Sequence, residues 1–422
     1  MLDNNGIRQL AYVVQIDRIE SISGADSVEA AIVGGWKIMT RKGTFQAGDY
    51  AVYFEIDSKV PETEEFKFLE KKHYKVKTQK YTFGGKGNFI SQGLLMSLSD
   101  FPNVFFQDLS TLSNLEWCYK QGIKGNLPAV KVNVGDFLTD ILGVKYSVVE
   151  DNRRKASADK YKKMAQRHSK LFKNSKIIQW LYKRTWGKKV LFFFLGNKQD
   201  KKASFWPEWV VKTDEERVQN LPQLFPGDET KWIVTEKIDG SSTTFTIKRG
   251  KRDKYEFYVC SRNVCFDKPE KEDKLFYDTN IYTKMAEKYN IEAILKQMLD
   301  DYPEVEFITI QGETYGAGVQ KRDYGMKDID FKAFNLIFGY KDKTIRFNPA
   351  EMTYKLSLYG IPSVPVLDTN FKLPATIDEM IAYADGKSEL DGEYREGVVL
   401  RTIDGINSFK AVSNEYLIRK SE

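Results

Sequence analysis

Hydrophobic and polar positions change their rhythm twice along this chain of 422 residues. Early on they form short apolar runs: Ala11-Tyr12-Val13-Val14-Gln15-Ile16, Ala30-Ala31-Ile32-Val33, Trp36-Lys37-Ile38-Met39 after Gly34-Gly35, and Tyr50-Ala51-Val52-Tyr53-Phe54-Glu55-Ile56 after Gly48-Asp49. Runs of this length bounded by turn residues predict strands, with a hairpin at Gly34-Gly35. Several closely spaced strands fit a small barrel. Between 158 and 184 the spacing becomes helical, through Tyr161, Met164, Ala165, Leu171, Phe172, Ile177, Ile178 and Leu181, which predicts one or two amphipathic helices. From about Pro207 onward strand patterns alternate with helices. One is expected at 280–298, where Met285, Ile291, Ile294 and Leu295 share a face, and another at 377–385. The pattern divides the chain into 1–150, a linker at 151–206, and an α+β domain at 207–422.

Charge sharpens this division. Residues 151–202 hold seventeen Lys/Arg against three Asp, a local +14 in a chain whose net charge is +6, so the rest is acidic overall. A basic amphipathic stretch can grip a phosphate backbone, lie on an acidic membrane or serve as a solvated connector. Trp180 and Trp186 beside Lys183 and Arg184 suit a nucleic-acid surface or core packing. No apolar stretch approaches the roughly 20 residues of a membrane span. The polar, acidic start Met1-Leu2-Asp3-Asn4-Asn5 lacks the pattern of a signal peptide, so an intracellular, cytoplasmic protein is expected. Cys118, Cys260 and Cys265 make no disulfide framework and fit a reducing compartment. His73 and His168 have no partner at zinc spacing, and no Gly-x-x-x-x-Gly-Lys-Ser/Thr loop is present.

The chemistry concentrates at Glu236-Lys237-Ile238-Asp239-Gly240-Ser241-Ser242, which follows the strand-like run Trp232-Ile233-Val234. A strand that delivers a lysine into a glycine-containing polar turn can present an amine to phosphorus. The amine attacks only when neutral, so its pKa must be depressed by burial, a neighbouring cation or a divalent metal. Asp239, two residues on, emerges on the same side of an extended chain, and Gly240 permits close backbone approach. Four further segments follow in order. They are Thr309-Ile310-Gln311-Gly312-Glu313-Thr314-Tyr315-Gly316, Asp330-Phe331-Lys332-Ala333-Phe334-Asn335-Leu336-Ile337-Phe338, Arg395-Glu396-Gly397-Val398-Val399-Leu400-Arg401, and Ser408-Phe409-Lys410-Ala411-Val412-Ser413. Phe331 and Phe334, three apart on a strand, face opposite ways.

This ordered series resembles the nucleotidyltransferase motifs of ATP-dependent ligases and capping enzymes. It is most similar to the RNA ligases of the Deinococcus type, which carry an OB-like domain in front of the catalytic one. The resemblance implies an N-terminal OB-like β-barrel, the basic helical linker, and a C-terminal nucleotidyltransferase domain, unrelated to the ATP-grasp ligases, with antiparallel sheets and flanking helices. It implies that Lys237 attacks the α-phosphate of ATP, and that Asp239, Glu313 and Glu396 bind Mg²⁺ or Mn²⁺ or hold ribose hydroxyls. It further implies that Phe334 stacks on adenine, that Lys410 contacts the α-phosphate, and that Arg262 contacts phosphate or the RNA 3′ end. The resemblance also places Glu236 and Arg217 in the nucleotide site, although the run Lys212-Thr213-Asp214-Glu215-Glu216-Arg217 also reads as the exposed first turns of a helix. Many relatives carry a second lysine where this chain has Val412, which leaves Lys420 and Arg401 as candidate substitutes.

The expected activity is sealing of RNA 3′-OH and 5′-phosphate ends through lysyl-AMP and adenylated RNA by a monomer, in RNA repair, with a nicked duplex as one candidate substrate. Lys71, Lys72, Lys75 and Lys77 with Tyr74 and Tyr81 form either an RNA-facing surface or a solvated loop. DNA ligase, capping guanylyltransferase and a non-catalytic nucleic-acid-binding protein are the competing readings. The chain ends twelve residues after Lys410, with no room for the trailing OB domain of DNA ligases and capping enzymes, which favours RNA ligase.

Overall fold

The structure, a computed structural model, describes residues 1–3, 7–83, 88–101, 104–106, 130–147, 175–184, 186–187, 189–191, 206–250, 254–262, 265–266 and 281–421. In the N-terminal part, β1 (Ala11–Gln15), β5 (Tyr50–Phe54) and β6 (Leu94–Ser97) form one antiparallel sheet; β2 (Arg18–Ser21), β3 (Val28–Val33) and β4 (Trp36–Arg41) form another. The β3–β4 hairpin turns at Gly34-Gly35 as its sequence predicts. Both faces of the first sheet are buried. Val13, Val52 and Phe54 pack toward Phe66 and Leu69, while Tyr12, Val14 and Tyr53 pack toward Trp36 and Ile38. This double burial explains why those runs are almost continuously apolar rather than alternating. Among the described residues these strands form separate small sheets rather than the closed barrel expected from the sequence.

Most of the basic linker lies outside the described residues, including the upstream positions of the expected helices. Within it, helix α1 (Lys176–Tyr182) begins where the Ser175 hydroxyl accepts the Ile178 N–H at 3.3 Å. Trp180 and Trp186 are exposed, and the Arg184 guanidinium lies 3.8 Å from the Trp180 ring centre.

The C-terminal part is built on two sheets. Five strands run in the order β7 (Glu216–Arg217), β17 (Ser408–Val412), β16 (Gly397–Thr402), β8 (Trp232–Lys237) and β15 (Val366–Phe371). Six run in the order β11 (Cys265–Phe266), β10 (Tyr255–Ser261), β9 (Ser241–Arg249), β12 (Phe307–Gly316), β13 (Ile329–Gly339) and β14 (Thr344–Arg346). Strand alternation gives each sheet an apolar and a polar face. In the first, Trp232, Val234, Val398, Leu400 and Phe409 bury against Met380, Ile381 and Ala384 of helix α5 (Ile377–Ala384). In the second, Phe245, Ile308, Ile310 and Phe331 bury against helices α2 (Ile281–Lys288), α3 (Ile291–Asp301) and α4 (Pro349–Ser357).

The two polar faces meet across the chain that leads into β7. There Gln311 accepts the Thr213 hydroxyl at 3.1 Å and donates to the Val211 carbonyl at 2.9 Å, and Arg401 donates to the Phe334 carbonyl at 3.4 Å. The single helix expected over 280–298 is two, because Asn290 adopts a left-handed conformation (φ 49°) between α2 and α3. Asparagine tolerates that region better than most residues do. The helix expected at 377–385 is α5, closed by Asp385.

Candidate nucleotidyl-transfer site

Strand pairing assembles the site. Lys237 ends β8 directly opposite Gly397, so the strand start delivers the preceding Glu396 to the lysine, and Nζ donates to Glu396 Oε2 at 2.6 Å. Gly397 sits at φ 155°, and a Cβ there would stand 2.3 Å from the Ala411 carbonyl, so only glycine permits this approach. Gly240 likewise brings the chain close, but to the protein's own strand: a Cβ would lie 2.3 Å from the Thr314 carbonyl and 2.9 Å from Glu313 Cγ. Glu313 in turn faces Ser242 across the β9–β12 pair. The Asp239 N–H donates to the Tyr324 hydroxyl at 2.7 Å, and the Tyr416 hydroxyl bonds the Asp239 carboxylate.

The three carboxylates therefore share one neighbourhood with Lys237. Burial pushes Glu313 up to about 8, and the charges of Glu396 and Asp239 reinforce that push while Lys237 opposes it. Burial also works against the Lys237 ammonium, yet Glu396, Glu313 and Asp239 outweigh it and raise the amine above its ordinary value. This is opposite to the depressed lysine expected from the sequence. Without a cation from outside the chain, the carboxylates hold the Lys237 amine charged. Their all-oxygen donor set suits a hard divalent ion. Among the described residues no three acidic, His or Cys side chains stand close enough to enclose an ion alone. Water and substrate oxygens must complete any such shell.

A second cluster lies beside the first. Lys410 on β17 pairs in register with Arg217 on β7, and both share the polar face with Lys237. Arg217 is therefore a buried strand residue, not part of an exposed helical turn. It donates to Asp57 at 3.2 Å, while its Nε and Nη1 are buried without a hydrogen-bond partner among the described residues. Lys410 donates to Asp214 Oδ1 at 2.6 Å, and Asp214 Oδ2 accepts Arg8 Nε at 3.0 Å and Arg262 Nη2 at 2.8 Å. Burial, with Arg8 and the more distant cations, lowers Lys410 to about 7 although Asp214 opposes this.

Phe334 occupies the bulge that separates the Gly312–Ala333 pair from the Gln311–Asn335 pair, and it packs with Ile238, Tyr324 and Leu390. Phe331 lies in the helix-covered core on the other side, as their spacing predicts. Glu236 is not brought to Lys237: adjacent strand residues diverge, and its carboxylate accepts the Ser388 hydroxyl and the Glu389 N–H. Val412 forms an apolar contact with Ile56 and Leu417. Of the two candidate substitutes, Arg401 donates to Glu215 at 3.1 Å, and the Lys420 side chain is not among those described. Arg8 and Asp214 went unassigned in the sequence. Arg8 lies far from every motif, and nothing local distinguishes Asp214 from a surface acid.

A lysine at a strand end, carboxylates around its amine and a cation cluster alongside are the groups that nucleotidyl transfer requires. The RNA ligase family model matches residues 230–412, and an OB-fold domain model matches residues 10–98. Solved structures agree. Naegleria gruberi RNA ligase with pyrophosphate is 26% identical, covers 97% of this chain and 98% of its own, and has a TM-score of 0.66. The apo form of a lysine-to-alanine mutant of that enzyme is 26% identical over 99% of this chain and 100% of its own, with a TM-score of 0.67. A mutant with ATP and Mn is 26% identical over 97% and 98%, with a TM-score of 0.64. No curated protein sequence matches the chain significantly. Residues 230–412 thus form an RNA ligase domain and residues 10–98 an OB-fold domain before it, the two-domain arrangement of an ATP-dependent RNA ligase.

Proposed function

We propose that the protein joins RNA 3′-OH and 5′-phosphate ends in three transfers, with Lys237 as the covalent carrier of AMP. The observation that carries this reading is the Lys237–Glu396 pair facing a cation cluster whose Arg217 has two buried N–H groups without a partner among the described residues. A guanidinium that keeps two buried donors free beside its bond to Asp57 is one that an anionic substrate would satisfy. In the first transfer the Lys237 ammonium gives up its proton. Nζ then forms a bond to the α-phosphorus of ATP, and the bond to the β-phosphate oxygen breaks to release pyrophosphate. The RNA 5′-phosphate next takes AMP from nitrogen, and the 3′-hydroxyl oxygen finally attacks that phosphate and expels AMP. Lys410 and Arg217 neutralise phosphate charge, Arg262 adds a further cation, and Phe334 offers a face to adenine. Asp239, Glu313 and Glu396 would hold Mg²⁺ or Mn²⁺, which supplies Lewis-acid neutralisation of the carboxylates and phosphate when bound.

Similarity to an RNA ligase solved with ATP, AMP, Mn and pyrophosphate supports these ligands. RNA repair, a monomeric state, a cytoplasmic setting and the division at 150 and 206 belong to the same proposal. The test is incubation with α-labelled ATP or GTP and Mg²⁺ or Mn²⁺, followed by denaturing electrophoresis. Label from ATP that survives denaturation and is absent in Lys237→Ala is the expected result. Label from GTP would point to capping, and no label from either would refute the covalent mechanism.

A further inference from the structure

Asp214 receives three cations from three distant parts of the chain: Arg8 from the N-terminal part, Arg262 from the end of β10, and Lys410 from β17. Its side chain is only 13% exposed, and these cations hold its carboxyl well below the usual range, so it is ionised. Convergence of several donors on two oxygens is the arrangement a phosphate group demands. Two donors of Arg217, the register neighbour of Lys410, have no hydrogen-bond partner among the described residues. We propose that Asp214 is an internal stand-in for phosphate: it occupies the cation cluster in the empty enzyme and is displaced by the polyphosphate of the substrate. The identity of that ligand rests on the ligase reading above.

The exchange has a physical direction. A pyrophosphate-like anion carries more charge than one carboxylate and enough oxygens for the same donors and for Arg217 as well. A monovalent anion offers no such gain, so Asp214 biases the cluster toward polyphosphates. It also keeps Arg8, Arg262 and Lys410 from repelling one another when no ligand is bound. Asp214 is thus a positioning and specificity residue that touches the phosphate-binding cations rather than the reacting atoms.

The test is calorimetric binding of inorganic pyrophosphate and of orthophosphate to the full chain at about pH 6, where Lys410 is charged. Asp214→Asn is expected to bind pyrophosphate roughly tenfold tighter than wild type, and to gain for orthophosphate too, because the competing charge is gone. Asp214→Glu should restore wild-type affinity. A purely structural role predicts weaker binding in Asp214→Asn, and equal or weaker binding with a cooperative melting curve would overturn the proposal. Should the variant fail to fold, the wild-type crystal structure with pyrophosphate decides: retention of the Lys410–Asp214 contact refutes displacement. Absence of pyrophosphate binding in wild type would also refute it. Lysyl-AMP labelling judges the ligase reading separately.

Discussion

Two lysines on one sheet face each donate to a carboxylate at 2.6 Å, and they respond in opposite directions. Lys237 with Glu396 is held above its ordinary pKa, while Lys410 with Asp214 falls to about 7. Burial opposes the charge of both. The difference lies beyond the pair: Lys237 also sees Glu313 and Asp239, whereas Lys410 also sees Arg8, Arg217 and Lys237. The neighbourhood, not the contact distance, decides whether a paired lysine is charged. The acidic half of the site holds the Lys237 amine protonated until something neutralises the carboxylates. The basic half keeps a cation close to losing its proton until an anion arrives.

The largest expected effects test the acidic half. Lys237→Ala should reduce lysyl-AMP formation to background. Asp239→Ala, Glu313→Ala and Glu396→Ala should each lower sealing roughly 10–100-fold with unchanged thermal unfolding. Full sealing by any two of these carboxylate variants would remove the metal assignment. Glu396→Gln sharpens the comparison, since it deletes the strongest charge that raises Lys237. In the absence of nucleotide, the pH midpoint for modification of Lys237 by an amine-specific reagent should move down in this variant. An unmoved midpoint would show that Glu396 does not set the protonation of the amine.

The basic half should respond less in rate and more in pH dependence. Lys410→Met removes a charged donor to phosphate, so the KM for ATP in the labelling reaction should rise roughly 10–100-fold, equivalent to about 1.5–3 kcal/mol. Its titration carries a second signature. The pKa of Lys410 is about 7 when folded against an ordinary 10.5, so between those values the unfolded chain binds more protons. Native stability must then rise with pH across that window, by up to about 1.4 kcal/mol per pH unit from this group. Urea unfolding at about pH 7 and 9 should show the wild type gaining on Lys410→Met. Parallel changes in the two proteins would mean that Lys410 is not depressed.

The sequence made the acidic half legible because its residues lie in contiguous strand-end motifs. Lys237, Asp239 and Glu396 lie at strand ends as their motifs suggest, Glu313 lies inside β12 rather than at its end, and Phe334 and Phe331 divide as alternation requires. The basic half was only partly legible. Lys410 stood out, but Arg217 looked like an exposed helical residue because nothing in Asp214-Glu215-Glu216-Arg217 announces that two residues will pair with β17. Arg8 joins through a tertiary contact about two hundred residues away from Asp214 in sequence. The sign of the Lys237 shift escaped for a similar reason: a motif shows which carboxylates exist, not how tightly they crowd a buried amine.

A third pair isolates what burial contributes. Lys37 on β4 donates to Asp378 of α5 at 2.6 Å, the same separation as the two site lysines, and unlike them it joins the N-terminal part to the ligase domain. Its side chains are 36% and 62% exposed, against 10% and 13% for Lys410 and Asp214. Water and salt screen the exposed charges, and holding both side chains in one geometry costs conformational entropy. Lys37→Ala should therefore change unfolding free energy by no more than about 0.5 kcal/mol and leave labelling with ATP unaltered. The change should also fade with added salt. A loss of several kcal/mol would mean that domain docking depends on this contact, and that separation alone carries energy which burial was credited with here. Equality of the three distances makes the measurement decisive: if exposure rather than geometry sets the strength of a lysine–carboxylate pair, this one must be the weakest of the three.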